Sequence, residues 1–220
     1  DVYKRQVIDL DKEFTTNEGK FKFSQIKNIP SLLETSTGVN FKIYKPSYKE
    51  FVLLMKRGPQ IIYPKDVAQI VLESNIHNSS KVLEIGSGSG ALTLYLYTFL
   101  KNTGVLYSLD SSKINQRRAD KTISRYISTL SHESNDITFI NEELINFDYK
   151  TLNENLDAII TDVPEPWEFF TNNKIKNSVC WVSYLPSMTQ VMRMNNALKE
   201  QHFQDIEIKE VILRDWVVDE

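Results

Sequence analysis

Cysteine, histidine and long apolar runs are scarce in this sequence, and each shortage excludes a class of protein. The single cysteine, Cys180, cannot form an internal disulfide and is typical of a reducing compartment. Three isolated histidines and one cysteine give no metal-ligand spacing. No apolar run is as long as a membrane span, and no signal peptide opens the chain. We therefore expect a cytoplasmic protein with no metal and no membrane association.

Charge is nearly balanced overall but unevenly distributed. The 220 residues carry a formal net charge of −3, with 41% hydrophobic and 25% charged residues, which is ordinary globular composition. Residues 1–57 contain 11 basic against 7 acidic side chains, whereas the remainder is acidic. The N-terminal part is therefore the candidate surface for an anionic partner, although a simply solvated basic surface explains the same pattern.

The first 57 residues read as a small β-domain, broken by glycine and proline. Its strand-like segments are Val2–Leu10, Lys20–Ser24 and Asn40–Tyr44. A boundary near Arg57–Pro59 separates this domain from residues 58–220, in which strands and helices alternate.

That alternation predicts the fold class of the larger domain. Helical periodicity marks Asp66–Ser74, Ala91–Lys101, Lys113–Leu130 and Ser187–Leu198. Short apolar runs mark strands at Lys81–Ile85, Val105–Leu109, Ile137–Ile140, Leu156–Thr161, Val179–Leu185 and Ile206–Leu213. Helical crossovers imply parallel strands, so we expect an α/β, doubly wound, Rossmann-like sheet. Its ligand site would lie beyond the carboxyl ends of the strands.

A glycine-rich turn follows the first of these strands and predicts a nucleotide-like ligand. Glu84 is followed by Gly86, Gly88 and Gly90, and Asp110 ends the next strand, where a carboxylate can accept both ribose hydroxyls. The E-x-G-x-G-x-G spacing favours S-adenosylmethionine over a dinucleotide, whose usual signature is G-x-G-x-x-G. A plain strand–turn–helix without any ligand is the remaining alternative.

Polar residues after neighbouring strands complete the predicted pocket. Asn115 lies near the start of the following helix, and Glu142 and Glu143 follow the third strand, where an adenine amino group needs an acceptor. Each of them is equally explained as a solvated loop residue.

The fourth strand ends in Asp162-Val163-Pro164-Glu165-Pro166-Trp167. Prolines after the aspartate stiffen the loop and fix the direction of the first side chain. We expect Asp162 to face the methyl group held over the glycine turn, although Asp is also a common turn former and helix cap. Trp167 offers either a stacking surface or a packing surface.

Together these motifs resemble the tRNA (adenine-N1)-methyltransferase family, the TrmI type of bacteria and archaea. The likeness rests on Arg57–Asp66, Val82–Thr93, Asp162–Trp167, Trp181–Val191 and Glu210–Val217. It implies methylation of N1 of an adenine in the tRNA T-loop, a homotetramer, a catalytic Asp162 and an adenine pocket lined by Tyr63. It also implies cofactor contacts from Gln60, Ser89, Gly90, Ala91, Leu92, Asp110 and Asn115.

This sequence departs from the family pattern at three points. Asp110 stands where Glu is common, and Asn141 stands where Gly is usual, which leaves the register of Glu142 and Glu143 open by one residue. Family members also continue into a last strand with an H-T-G segment, which suggests a truncated copy here. Two other functions remain open: a non-catalytic RNA-binding subunit of a methyltransferase complex, and a protein or small-molecule methyltransferase of the isoaspartyl-repair type.

Overall fold

The computed structural model describes residues 8–55, 60–100, 104–128, 136–175, 178–214 and 216. The chain divides into two compact units, Asp1–Met55 and Lys56–Glu220. The boundary that the sequence predicts at residues 57–59 lies outside the described residues. Within the described part of the chain, no helix is both long and apolar enough to span a membrane.

Two antiparallel hairpins form most of the N-terminal unit. Their strands are β1 (Glu13–Thr16) with β2 (Gly19–Lys22), and β3 (Ser31–Glu34) with β4 (Asn40–Ile43). The predicted strand Asn40–Tyr44 is therefore confirmed almost to the residue. Lys20–Ser24 ends early because Phe23–Gln25 turns into a 3-10 helix. Of Val2–Leu10, residues 2–7 lie outside the described residues and 8–10 are not a strand.

An aromatic cluster provides the core of this unit. Phe14 and Phe21 face each other across the first hairpin, with ring centroids 5.0 Å apart, and Phe23 and Phe41 pack against them. Such pairs stabilise a sheet face beyond their area of burial. The charged residues between them, Lys20 and Lys22 among them, are exposed because alternate side chains of a strand point to opposite faces.

A short helix, α1 (Tyr48–Leu53), follows the hairpins and was not predicted. Its start is fixed by a capping box, in which the Glu50 N–H donates to the Ser47 hydroxyl and the Ser47 N–H donates to the Glu50 carboxylate. The S-x-x-E pattern is the local signal that indicates such a start. Phe51 and Val52 are the residues that the helix buries.

The larger unit is a parallel sheet with helical crossovers, as predicted. Its strands are β5 (Lys81–Ile85), β6 (Val105–Leu109), β7 (Asp136–Ile140), β8 (Ala158–Thr161) and β9 (Cys180–Ser183). Its helices are α2 (Pro64–Glu73), α3 (Ala91–Phe99), α4 (Lys113–Ile127), α5 (Phe169–Asn172) and α6 (Met188–Glu200). The strand order is β7-β6-β5-β8-β9, and every neighbouring pair is parallel. The α/β doubly wound fold is therefore confirmed.

Strand β5 lies at the centre of this sheet. Val82, Leu83 and Ile85 are almost wholly buried, as expected for a strand covered on both faces. The chain leaves β5 for β6 on one side and returns to β8 on the other, so the strand order reverses at β5. Open α/β sheets bind ligands at such a reversal, beyond the carboxyl ends of the strands.

The predicted final strand, Ile206–Leu213, is wrong. Residues 206–213 have no regular secondary structure, and Ile208, Ile212 and Leu213 are exposed. Alternation of apolar and polar residues describes only side chains, whereas a strand also needs a neighbouring backbone with which to pair. Side chains on α2 hold this segment instead, since Lys65 donates to the Val211 carbonyl and Glu73 pairs with Lys209.

Candidate active site

The glycines of the turn between β5 and α3 share one backbone requirement, and two of them also make room for a neighbouring element. All three lie in the left-handed region, with φ of +102° at Gly86, +49° at Gly88 and +81° at Gly90. A Cβ at Gly86 would lie 2.3 Å from the carbonyl oxygen of Asp162, and one at Gly90 would lie 2.6 Å from Cα of Ala119. A Cβ at Gly88 would meet no atom within 4 Å. Gly86 therefore admits the loop after β8, Gly90 admits helix α4, and Gly88 faces open space.

Asp110 follows β6 and is held by backbone donors. The Gly88 N–H donates to its Oδ2 and the Ser112 N–H to its Oδ1, with N···O distances of 3.0 and 2.8 Å. The Asn115 side-chain amide lies 3.3 and 3.4 Å from the two carboxylate oxygens. Bonds from backbone N–H groups fix the carboxylate next to the glycine turn, where it can accept further hydrogen bonds from a ligand.

Asp162 follows β8 and lies against the same turn. Its N–H donates to the Ile85 carbonyl at 2.8 Å, and its own carbonyl oxygen occupies the space that a side chain at Gly86 would need. Within the described part of the chain, its carboxylate accepts no hydrogen bond. Burial raises the pKa of this carboxyl group to about 6. A half-buried carboxylate without a protein partner is available to a ligand and titrates near neutral pH.

These loops enclose a cleft of about 590 Å³ at the carboxyl ends of β5, β6 and β8. This volume lies within the range of about 300–1,000 Å³ that is usual for small-molecule sites. Eight of the predicted site residues line it, namely Gln60, Gly86, Gly88, Asp110, Asn115, Glu142, Glu143 and Asp162. The two halves of the predicted site, the glycine turn and the aspartate loop, therefore meet in one cavity.

The other predicted site residues do not line this cleft. Tyr63 precedes α2 and is half exposed, while Ala91 and Leu92 are buried in the first turn of α3. Ser89 and Gly90 form the end of the turn, directly before α3. Their cofactor contacts, like those of Ala91 and Leu92, stay predictions. Glu84, predicted to contact the cofactor, is fully buried inside β5, behind the turn.

Both candidate acidic residues after β7 reach the cleft. The Asn141 amide donates to the carbonyl oxygens of Asp110 and Ser111, each at 2.8 Å, so the loop after β7 is tied to the loop after β6. Glu142 and Glu143 then both line the cavity with exposed side chains. Either carboxylate is placed to accept a hydrogen bond from an adenine amino group.

Tyr184 lines the cleft and was not predicted as a site residue. It follows β9, the strand next to β8, and its hydroxyl donates to Asp66 at a long 3.4 Å. Burial, more than the nearby Asp66, raises the pKa of this phenol, so it stays protonated at neutral pH. The sequence holds a signal for it, since any residue just beyond the carboxyl end of a neighbouring parallel strand opens on the same edge.

The residues of the cleft fit a ligand that carries an adenosine group. Asp110 supplies a carboxylate for ribose hydroxyls, Glu142 and Glu143 supply acceptors for an amino group, and Gly88 leaves room for close approach. Ala91 and Leu92, which begin α3 after the glycine turn, are not among the described residues that line the cleft. The three carboxylates are therefore suited to accept hydrogen bonds from the hydroxyl and amino groups of a nucleoside.

Comparison with known proteins identifies the relatives of this chain. A family model described as tRNA methyltransferase complex GCD14 subunit matches residues 43–220. The chain is 29% identical to a tRNA (adenine(57)-N(1)/adenine(58)-N(1))-methyltransferase TrmI of Methanocaldococcus jannaschii, an alignment that covers 100% of this chain and 88% of that protein.

Solved structures share the fold. A SAM-dependent O-methyltransferase from Thermotoga maritima superposes with a TM-score of 0.81 at 22% identity, over 94% of this chain and 77% of that one. The tRNA (m1A58) methyltransferase TrmI of Aquifex aeolicus gives 0.64 at 24% identity, over 89% and 75%. Because the family model covers most of the sequence, the chain belongs to the family of the tRNA methyltransferase complex GCD14 subunit, as its motifs predicted.

Proposed function

We propose that this protein uses S-adenosylmethionine to methylate N1 of an adenine in the T-loop of tRNA. The observation that carries the proposal is the direct packing of the Asp162 loop on the glycine turn. One cleft therefore holds both the residues predicted to bind the cofactor and a carboxylate that accepts no hydrogen bond from the residues the structure describes. Membership of a tRNA methyltransferase family and the activity named for the Methanocaldococcus jannaschii relative support the choice of substrate.

The cofactor residues have separate tasks in this proposal. S-adenosylmethionine supplies an electrophilic methyl group when it is bound. Asp110 accepts hydrogen bonds from the ribose hydroxyls, and Glu142 or Glu143 accepts one from the amino group of the cofactor's adenine. Gly86 and Gly88 keep the turn free of side chains on the side of the cleft. These groups hold the ligand in a fixed place, and alignment of two reactants contributes several kcal/mol, up to about 7–11, to lowering a barrier.

Asp162 has the chemical role. N1 of adenine carries a lone pair in the ring plane and is itself the nucleophile, so little proton transfer is needed to begin the attack. Methylation places positive charge on the ring and acidifies the exocyclic amine. The Asp162 carboxylate accepts a hydrogen bond from that amine, which strengthens as the charge develops, and then takes the proton directly or through water.

The target base must leave its stack before it can react. N1 lies on the Watson–Crick edge, and extrusion of a base costs a few kcal/mol. Tyr63, with half of its surface exposed, supplies an aromatic wall for the adenine in this proposal. Its placement next to Ile61 and Ile62, which line the cleft, supports that role.

We also propose a cytoplasmic homotetramer that binds tRNA partly through the basic N-terminal domains of several subunits. The family description of a complex and the 11 basic against 7 acidic residues of positions 1–57 support this assembly. A single cysteine is compatible with the reducing cytoplasm. Binding through basic residues should weaken steeply with salt, because phosphate contacts release counterions.

Mass spectrometry of unmodified tRNA, after incubation with the protein and methyl-labelled cofactor, tests the function. We expect label on one T-loop adenine, or on two adjacent ones, as N1-methyladenosine. Label on protein or on a small acceptor with none on tRNA would favour the isoaspartyl-repair type. Cofactor and tRNA binding without transfer to any acceptor would favour a non-catalytic subunit.

A further inference from the structure

A chain of buried polar side chains lies directly beneath the glycine turn. It consists of Glu84 on β5, Ser108 on β6, Ser87 in the turn and Thr93 on α3, each with 3% or less of its surface exposed. Thr93 donates to Oε1 of Glu84 at 2.9 Å, and Ser108 lies 2.5 Å from Oε2. The hydroxyls of Ser108 and Ser87 are 2.7 Å apart. Every member therefore has a hydrogen-bond partner within the chain.

Among the residues that the structure describes, three successive residues of the glycine turn are hydrogen-bonded to β6 or to Asp110, which follows it, and this polar chain supplies one of these contacts. The Gly86 N–H donates to the Leu109 carbonyl at 2.8 Å, and the Gly88 N–H donates to Asp110 at 3.0 Å. Between these two backbone donors, Ser87 is tied to β6 through its side chain alone. The contact of Ser87 is therefore made through the hydroxyl of Ser108, and that hydroxyl is in turn hydrogen-bonded to Glu84.

The position of Glu84 argues against direct contact with a ligand. The carboxyl group is enclosed by two hydroxyls, and the residue is not among those that line the cleft. Burial raises its pKa to about 8, so it is mainly neutral at pH 7. A neutral carboxyl can satisfy both hydroxyls, because it offers one donor and one acceptor.

We propose that Glu84 is a positioning residue, which acts through Ser108 and Ser87 to hold the glycine turn in the form that binds the cofactor. The inference rests on the proposed function only for the identity of the cofactor. A fully satisfied buried network rigidifies the backbone around it. Removing its acceptor takes away a hydrogen-bond partner from the buried hydroxyls of Thr93 and Ser108, which costs more than the bond itself contributes. The turn then relaxes, and the Gly88 N–H no longer meets Asp110 in the fixed arrangement.

The test compares cofactor affinity among variants at pH 7. S-adenosylmethionine dissociation constants from calorimetry should rise about tenfold, equivalent to about 1.4 kcal/mol, in Ser108→Ala and Glu84→Leu. Glu84→Gln should stay within about threefold of the parent, because glutamine has the same shape and offers an amide N–H donor beside a carbonyl acceptor. Ser87→Ala, which removes only the last link, replaces Glu84→Leu if that variant does not fold.

Ser80→Ala is the matched control for loss of a buried hydroxyl. Ser80 is also fully buried, precedes the opposite end of β5 and accepts a hydrogen bond from the His77 N–H at 3.0 Å. We expect it to lower the melting temperature as Ser108→Ala does, but to leave cofactor affinity unchanged. Amide hydrogen exchange at Gly88 in the protein without cofactor should accelerate in Ser108→Ala and not in Ser80→Ala.

Two outcomes overturn the inference. If Ser108→Ala and Ser80→Ala bind the cofactor alike, the network is merely structural. If Glu84→Gln loses as much affinity as Glu84→Leu while Ser108→Ala loses none, the carboxylate contacts the ligand itself. Because these measurements need no tRNA, they stand apart from the proposed function, which fails separately if the parent binds the cofactor and does not label tRNA.

Discussion

Methyl transfer by this protein should depend on the ionisation of Asp162. Burial raises the pKa of this carboxyl to about 6, and only its ionised form can accept the proton that methylated adenine releases. The rate therefore falls as pH drops through 6 and levels off above pH 7. At one pH unit below the pKa about one tenth of the carboxyl is ionised, so kcat/KM at pH 5 should be about tenfold below its plateau.

Single-turnover transfer of a labelled methyl group to tRNA, at saturating cofactor between pH 5 and 8, measures this profile. Asp162→Asn keeps the shape of the side chain and removes the proton acceptor. We expect it to lower the rate by about 10²- to 10⁴-fold, the usual contribution of a general base, and to flatten the acid limb. The dissociation constant of the cofactor is measured separately, so that lost binding is not mistaken for lost chemistry.

Asp157→Asn is the matched control. Asp157 is a carboxylate just before the opposite end of the same strand, where it accepts a hydrogen bond from the Lys81 N–H at 2.7 Å. It should keep both the rate and the acid limb of the parent. A parent profile that is flat from pH 5 to 8, or an Asp162→Asn variant with normal rate and profile, would refute the reasoning.

Three further predictions concern stability. Gly86→Ala should destabilise the fold by at least about 2 kcal/mol, because a Cβ there would lie 2.3 Å from the Asp162 carbonyl oxygen. A Cβ at Gly88 meets open space, so Gly88→Ala should lower the free energy of unfolding only by the roughly 1–2 kcal/mol that a left-handed backbone costs. Urea unfolding of both variants checks this, and equal losses would contradict it. Burial raises the pKa of Glu84 in the folded protein to about 8, above the usual 4.5 of a glutamate, so the folded protein keeps a proton that the unfolded chain releases. Stability should therefore fall as pH rises from about 4.5 to 8, and it should fall less in Glu84→Gln. Melting temperatures of the parent and of this variant at several pH values test this, and the same slope of melting temperature against pH in both would contradict the prediction. Finally, Ser47→Ala removes the N-cap of α1 and should lower the free energy of unfolding by about 1 kcal/mol. Ser128 is an exposed serine just beyond α4, and the control variant Ser128→Ala should change this free energy less.

Local patterns predicted most of the larger domain. The strands at Lys81–Ile85 and Val105–Leu109 agree residue for residue with the structure, because short apolar runs bounded by turns specify buried parallel strands. The cap of α1 was missed although the Ser47–Glu50 pattern indicates it. The strand predicted at residues 206–213 was wrong, because alternation of apolar and polar residues says nothing about whether a partner strand is present.

The local sequence settles which backbone conformations are possible and which groups end each strand. Gly86, Asp110 and Asp162 were recognisable as candidate site residues because a turn without side chains and acids at strand ends are local properties, and all three line the cleft. Three-dimensional packing alone settled that Glu84 points into the protein and that Gly90 makes room for α4. These facts depend on which strands and helices become neighbours, and that is fixed by contacts between residues far apart in the chain.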